Sequence, residues 1–580
     1  MLEGSVLRNW GVLVCVFMPL LVPTTQASAG ETLYNGIVLP DDWPPDYGEL
    51  TRDPMPVPYL ENPPEVIPID VGRQLFVDDF LIERTTLQRT FHQPEYCSEN
   101  PVIEPGQPGE EKKYNLYAAP FSGGACYDPA DKLFKLWYTG VRPHSTRYAT
   151  SKDGIHWEKP ELDFRSGTNI VIRPEGGFNS TTILLDHGAK DPTERFKYFA
   201  SENFQVVNDE ASWDYSYRTS ADGIHWSDPK VAKSTIWGDR STAFYNPFRK
   251  VWVLSQRTED AVERRARSYV EGPTVAGMMA EVTLNGPRVE GDKIFRGETT
   301  GKSVRWVGAD DLDPRHTDPR FSDIKPHLYN LDAAPYESLM IGYFSIWQGP
   351  SNEECGELNL QKRNDILLGF SRDGFHWDRP HRERFISCTW DEKSWRYGNV
   401  QSCASGCLIV GDKLYFYFSG HAKPRDGDDW DLDAATGLAI LRRDGFASME
   451  AGANTETLTT RPVTFQGKYL FVNVDCPEGE LEAEVLDKDG KVIKPFTLEN
   501  CEPVSSDKTL VQVNWQEGKD LADLAGKPVR FRFHLRNGSL YAFWVSPDKS
   551  GASHGYVGAG GPGFTGPTDT VGNGVLATAP

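Results

Sequence analysis

Carboxylates that can work in pairs, with cations and rings beside them, are the residues of this chain best suited to covalent chemistry. Asp239 directly precedes Arg240. A neighbouring cation keeps a carboxylate ionised, which suits a base or a nucleophile. Asp332, Glu337 and Glu202 are three further acids lying in or just after strand-like runs. Asp310, Asp311 and Asp313 form an acidic loop that could hold a structural Ca²⁺; solvated loop acids are the competing reading, and no other cofactor is expected. His421 closes the run Tyr415-Phe416-Tyr417-Phe418-Ser419-Gly420 and could meet a substrate, a water or a metal. Cys403 and Cys407 have no His partner at zinc-finger spacing and read as structural.

The most visible acids point elsewhere. Ser151 to Trp157 reads S-K-D-G-I-H-W, Ser220 to Trp226 reads S-A-D-G-I-H-W, and Ser371 to Trp377 reads S-R-D-G-F-H-W. Asp-Gly makes a tight turn in which Gly takes the positive φ, and Asp bonds nearby backbone N–H groups. These boxes are therefore expected to hold hairpins, with their Trp packed between neighbouring units. A worn copy occupies Arg442 to Phe446.

The boxes work as a ruler. Their first residues are 69 and then 151 residues apart, and Asp373 lies 71 residues before Asp444. They mark units one, two, four and five of an array whose third unit is unmarked. Each unit has two strand-like runs before its box position, a third running into the box and a fourth from its Trp. Five units of four strands predict an all-β fold with a five-bladed β-propeller over 69–460. Residues 30–68 are a Pro-rich lead-in. Antiparallel strand patterns with hairpin turns at Asp489-Gly490 and Asn537-Gly538 predict a β-sandwich over 461–549. The Gly-rich end, 550–580, is expected to be flexible.

Residues 1–29 read as a signal peptide: Arg8, an apolar run from Gly11 to Val22, and Ala27-Ser28-Ala29 as a cleavage site. A secreted or periplasmic location follows as an expectation. Eight cysteines remain after the leader, and Cys476 with Cys501 is the best candidate bridge. The formal net charge is −22, which disfavours nucleic acid and anionic membranes as partners. Arg257, Arg264, Arg265 and Arg267 form a cationic cluster broken by Glu259, Asp260 and Glu263. It reads as a solvated, ion-paired face.

The S-x-D-G-x-x-W boxes, the five units and the following sandwich resemble the glycoside hydrolases of families 32, 43 and 68 and their relatives. Asn100-Pro101-Val102-Ile103 is similar to segments of propeller glycosidases and phosphorylases. The resemblance implies a carbohydrate substrate in a funnel at one end of the channel. It also implies two carboxylates near the starts of innermost strands. On that frame Asp239, Asp332, Glu337 and Glu202 are the catalytic candidates. Arg240, Arg257, Asn399, Gln401, His421, Trp347 and Arg142 are the substrate-binding ones. Arg240 and Arg257 would suit an anionic sugar, uronic or sulfated. Unit one offers Ser122-Gly123-Gly124 where the resemblance implies a nucleophilic Asp. A carbohydrate-binding or surface-interaction propeller without catalysis is the alternative.

Overall fold

The computed structural model describes residues 30–106, 117–140, 145–174, 178–207, 210–232, 240–259, 265–282, 288–290, 293–295, 303–424, 433–516 and 519–578. The chain is all-β. Among the described residues, five sheet units follow one another. The first four strands-in-order are Ala125–Asp128, Leu133–Gly140, Ser145–Ser151 and Ile170–Ile172. The second unit is Phe178–Leu185, Phe196–Val207, Glu210–Ser220 and Lys230–Ala232. The third is Thr242–Asn246, Val251–Glu259, Arg265–Gly272 and Val304–Gly308. The fourth is His327–Glu337, Leu339–Trp347 and Asn364–Ser371; the fifth is Asn399–Val410, Lys413–His421 and Ala434–Arg442. The first strand of each unit packs on the first strands of its two neighbours, and the fifth returns to the first. This closed ring makes the propeller, with the first strands lining its channel.

The ring is closed by chain from ahead of it. Glu95–Tyr96 pairs with Ala434–Arg442 as the outermost strand of the fifth unit. Asn100 continues the seam: its Nδ2 donates to Leu438 O at 2.8 Å and its Oδ1 accepts from Leu438 N at 2.7 Å.

The three full boxes share one geometry. The Gly N–H donates to the Ser Oγ at 2.9 Å in each. The Asp accepts two backbone N–H groups and the His Nδ1, at 2.6–2.7 Å for the last. Each box is received by an aromatic ring of the unit before it. Tyr417 Oη donates to Gly154 O, Trp137 Nε1 to Gly223 O, and Trp306 Nε1 to Phe375 O. Tyr336 Oη does the same for the worn box, donating to Asp444 Oδ1 at 2.6 Å. The box tryptophans themselves divide. Trp157 packs on Tyr417 of the neighbouring unit, whereas Trp226 packs on Tyr198 of its own. Gly223 has φ +81°, and a Cβ there would stand 2.4 Å from the Trp137 ring. Gly223→Ala should destabilise the protein by about 1–3 kcal/mol. An unchanged thermal midpoint would show that this contact does not hold the units together.

The sandwich begins earlier than the expected boundary. Its two sheets recruit Ile67–Pro68, Gln74–Leu75, Ile82–Thr85 and Gln88–Phe91 from ahead of the propeller. They also take Ala447–Ala451 and Glu456–Thr460 from behind it. Val529–Arg536 alternates buried and half-buried residues along its length, placing Val529, Phe531, Phe533 and Leu535 in the core.

The Gly-rich end is packed, unlike the flexible tail expected. Tyr556–Val557 pairs with Tyr336 and Glu337, and Ala559 and Gly560 bond Cys407, Tyr127 and Ile409. A Cβ on Gly561 would lie 1.8 Å from Ile409 O, and one on Gly558 2.4 Å from Cys407 O. Glycine here permits backbone to lie on backbone; low apolar content had suggested disorder.

The eight described cysteines are all free, so the expected Cys476–Cys501 bridge is not formed. Cys476 Sγ donates to Val504 O, and Cys501 Sγ accepts from Ala483 N. The acidic loop is no Ca²⁺ site either. Asp310 and Asp313 are paired with Arg379 and Arg382.

Candidate functional site in the propeller channel

At the end of the channel where the first strands begin, three entering residues have left-handed backbone: Phe121, Arg240 and Ser402, with φ of 46°, 57° and 55°. Non-glycine residues adopt this conformation at a cost, and such strain gathers at functional sites. The ladder is also irregular between Phe178 and Ser180, Leu328 and Asn330, and Gln401 and Cys403. Bulges of this kind re-aim side chains or end strand pairing.

A polar layer crosses the channel there. Asn330 Nδ2 donates to Ser402 Oγ at 2.9 Å and to Ser122 Oγ at 3.3 Å. Units one, four and five are thereby tied across the axis. Asp332, two residues beyond Asn330, faces the same side of its strand one pleat deeper. Burial pushes its carboxyl up to about 6, against hydrogen bonds from Ser122 and Asn330 and the charge of Arg267. Its Oδ2 has no hydrogen-bond partner.

The wall on the side of units three and four is cationic. Arg257 and Arg267 stand directly opposite each other in the hairpin of unit three, and both are buried. Arg267 donates to Arg240 O at 2.8 Å and to Tyr329 O. Burial pushes Arg267 down to about 9; Arg257 and Arg265 act the same way, and Asp332 opposes them. Both are buried, so the expected solvated face is wrong for Arg257 and Arg267. Residues two apart in a strand share a face, so Arg265 lies on the same face of the hairpin as Arg267 and its partner Arg257.

Other expected residues take distinct places. Arg240 lies over the Phe121 ring at 3.8 Å, reaching from unit three to unit one. His421 is buried against Tyr117 and Phe121. Asn399 accepts from Asn364 Nδ2 at 3.0 Å and Gln401 Nε2 at 2.9 Å. Trp347 packs on His327 with ring centroids 4.7 Å apart. These residues lie at the strand ends around the same mouth. Asp239 and Arg142 fall outside the described residues.

Glu202 lies opposite the start of the first strand of unit two, toward the mouth as expected, whereas Glu337 does not. Glu202 accepts from Tyr198 Oη at 2.7 Å and pairs with Arg218 at 3.1 Å, both within unit two. Glu337 is at the other end of the strand carrying Asp332, about 16 Å away at roughly 3.3 Å per residue. It is fully buried with Arg73, Arg443, Asp444, Asp569 and Ser553. That cluster fastens the lead-in, units four and five, and the C-terminal segment to one another.

Sequence reasoning passed over Tyr329, Arg265, Lys362, Asn330, Ser122 and Ser402 as site residues. Arg265 was visible as part of a cluster, but its convergence with Lys362 on the Tyr329 ring needed the tertiary structure.

No family model and no curated relative matches the chain. Among solved structures, it is similar to an N-acetylgalactosamine deacetylase from F. plautii in complex with blood group B trisaccharide. The identity is 13%, over 60% of this chain and 97% of that one, with a TM-score of 0.38. A glycosyl hydrolase from Bacteroides ovatus is similar at 13% identity over 64% and 97% of the two chains, with a TM-score of 0.33. A family 43 protein from Bacillus licheniformis is similar at 9% identity over 80% and 100%, with a TM-score of 0.35.

Proposed function

We propose that this chain is a secreted glycoside hydrolase that opens O-glycosidic bonds of a poly- or oligosaccharide in the propeller channel. The observation that carries this reading is Asp332. A carboxyl group in the channel that keeps its proton up to about pH 6, with one oxygen unbonded, is suited to protonate a leaving glycosidic oxygen. Asp239, the residue before Arg240, supplies the second carboxylate in this reading, as nucleophile or as base for water. Bond cleavage then places the donated proton on the leaving sugar and the hydroxyl of water on the anomeric carbon. Tyr329 and Trp347 offer ring faces for stacking a sugar, and Asn399 and Gln401 offer hydrogen bonds.

The proton donor must be protonated, so activity should fall as pH rises through about 6. A kcat that stays level from pH 5 to 8 would remove Asp332 from that role. A non-catalytic carbohydrate-binding propeller is the second reading. It is favoured by the engagement of Glu202 and Glu337 in ion pairs, which leaves Asp332 as the channel acid among the described candidates. Purified protein screened against a panel of polysaccharides separates the two readings. Released sugar that is lost in Asp332→Asn and Asp239→Asn supports hydrolysis. Binding without release by any form supports the second reading, and equal release by all forms refutes the assignment of these acids.

A further inference from the structure

We infer that the wall formed by units three and four is an anion subsite, built from Arg240, Arg265 and Lys362 around the Tyr329 ring, that takes a sulfate or carboxylate group carried by a sugar. The inference rests on the reading of the channel as a glycan site and names its substrate class. The three cations come from three places in the chain. Arg240 enters the first strand of unit three, Arg265 opens its third, and Lys362 precedes the third strand of unit four. They lie 5.8, 5.4 and 5.0 Å from one ring centroid, that of Tyr329. Arg265 also lies 5.2 Å from the Trp347 ring.

A ring cannot neutralise the two arginines, because its quadrupole carries no net charge. Among the described residues, neither the Arg240 nor the Arg265 side chain makes an ion pair. Arg240 Nη1 is buried and has no hydrogen-bond partner. Arg257 and Arg267 are buried in the same hairpin, and Arg267 is pushed down first by burial and then by the charges of Arg257 and Arg265. All this occurs in a chain of net charge −22, where a local excess of cations opposes the global balance. An anionic oxygen group would satisfy the guanidinium donors, while its sugar ring lies against Tyr329 and Trp347. The requirement is for charge on the sugar itself, beside the apolar ring faces.

The test is calorimetric binding to the intact, catalytically disabled Asp332→Asn protein. The probes are trigalacturonate and its methyl ester, a sulfated galactose oligosaccharide and its neutral parent, and inorganic phosphate alone. At least one charged oligosaccharide should bind about 10-fold or more tightly than its neutral partner. Arg240→Gln and Arg265→Gln should each erase that preference, and Arg265→Lys should keep part of it. Thermal midpoints near that of the parent protein show that the variants are folded. The member of each pair that binds tells uronate from sulfate. Equal binding of charged and neutral partners, or a preference untouched by both glutamine variants, would overturn the inference. So would phosphate alone binding as tightly as the charged sugars, since the subsite would then serve a free anion. Charged sugars held through these arginines but never cleaved by the wild-type protein would sustain the subsite and defeat the hydrolase reading. Cleavage of neutral glycans without charge preference would do the reverse.

Discussion

On the proposed reading, Asp332→Asn should lower glycan hydrolysis by about 10²- to 10⁴-fold, the usual worth of a positioned proton donor. The amide matches the carboxyl in shape, so the hydrogen bonds that Ser122 and Asn330 supply around it should still form in part. Binding of the same glycan should therefore change little while kcat collapses. An aryl glycoside whose leaving group needs no proton should be spared most of the loss. The pH limb near 6 should disappear with the carboxyl, since no other described channel candidate is placed to produce it. A variant that loses affinity and rate together, for both leaving groups, would instead show that Asp332 shapes the site without transferring a proton.

Glu337→Ala is expected to cost about 3–5 kcal/mol of stability, the combined penalty for a buried void and for buried donors left without their acceptor. Arg443 pairs with both Glu337 and Asp569, and Arg73 lies beside Glu337 and pairs with Asp444. All five side chains are essentially inaccessible to water. Removing Glu337 leaves two guanidinium groups facing two carboxylates, with Ser553 Oγ and the Arg73 N–H deprived of their acceptor. The thermal midpoint should drop by roughly 5 °C for a body of this size. Limited proteolysis should release the C-terminal segment first, because Ser553 and Asp569 hold it to the cluster. An unchanged midpoint would mean that neighbouring groups rearrange to fill the gap.

The same cluster sets a direction for acid stability. Burial pushes Asp444 and Asp569 up, but Arg73 and Arg443 more than reverse this and hold both below the usual carboxylate range. Depressed native pKa values give stability that is full above the ordinary carboxylate range and lost as pH falls through the depressed values. Glu337 works the other way, since burial raises it and its proton is held more tightly in the folded state. The two aspartates outnumber it, so the cluster should weaken on acidification.

Much of the fold was legible because it is local. A Ser, an Asp and a Gly within four residues close their own turn, so the boxes could be recognised without any tertiary contact. Their spacing then counted the units and located the unmarked third one. The sandwich strand Val529–Arg536 was equally plain, since alternation along the chain is alternation between core and solvent. What the boxes touch was not legible. Trp137, Trp306, Tyr417 and Tyr336 meet them from the preceding unit, across gaps that no short sequence window spans.

The site divides along the same line. Asp332 could be chosen as a channel residue because it follows the start of a first strand, a position set by the repeat. Glu337 is five residues further on in the same strand, and the sequence alone put both in one funnel. Only the tertiary structure separates them, because the strand runs the depth of the channel and sets Asp332 midway along it and Glu337 at its far end. The arginines show the opposite error. Interleaved acids made them look like a solvated face, yet hairpin pairing sets Arg257 against Arg267 and turns both inward. Residue types and period determined that a propeller would form and where its units lie. Which charges end up buried together was decided by strand direction and cross-strand register, which bring residues close in space irrespective of their separation in the chain.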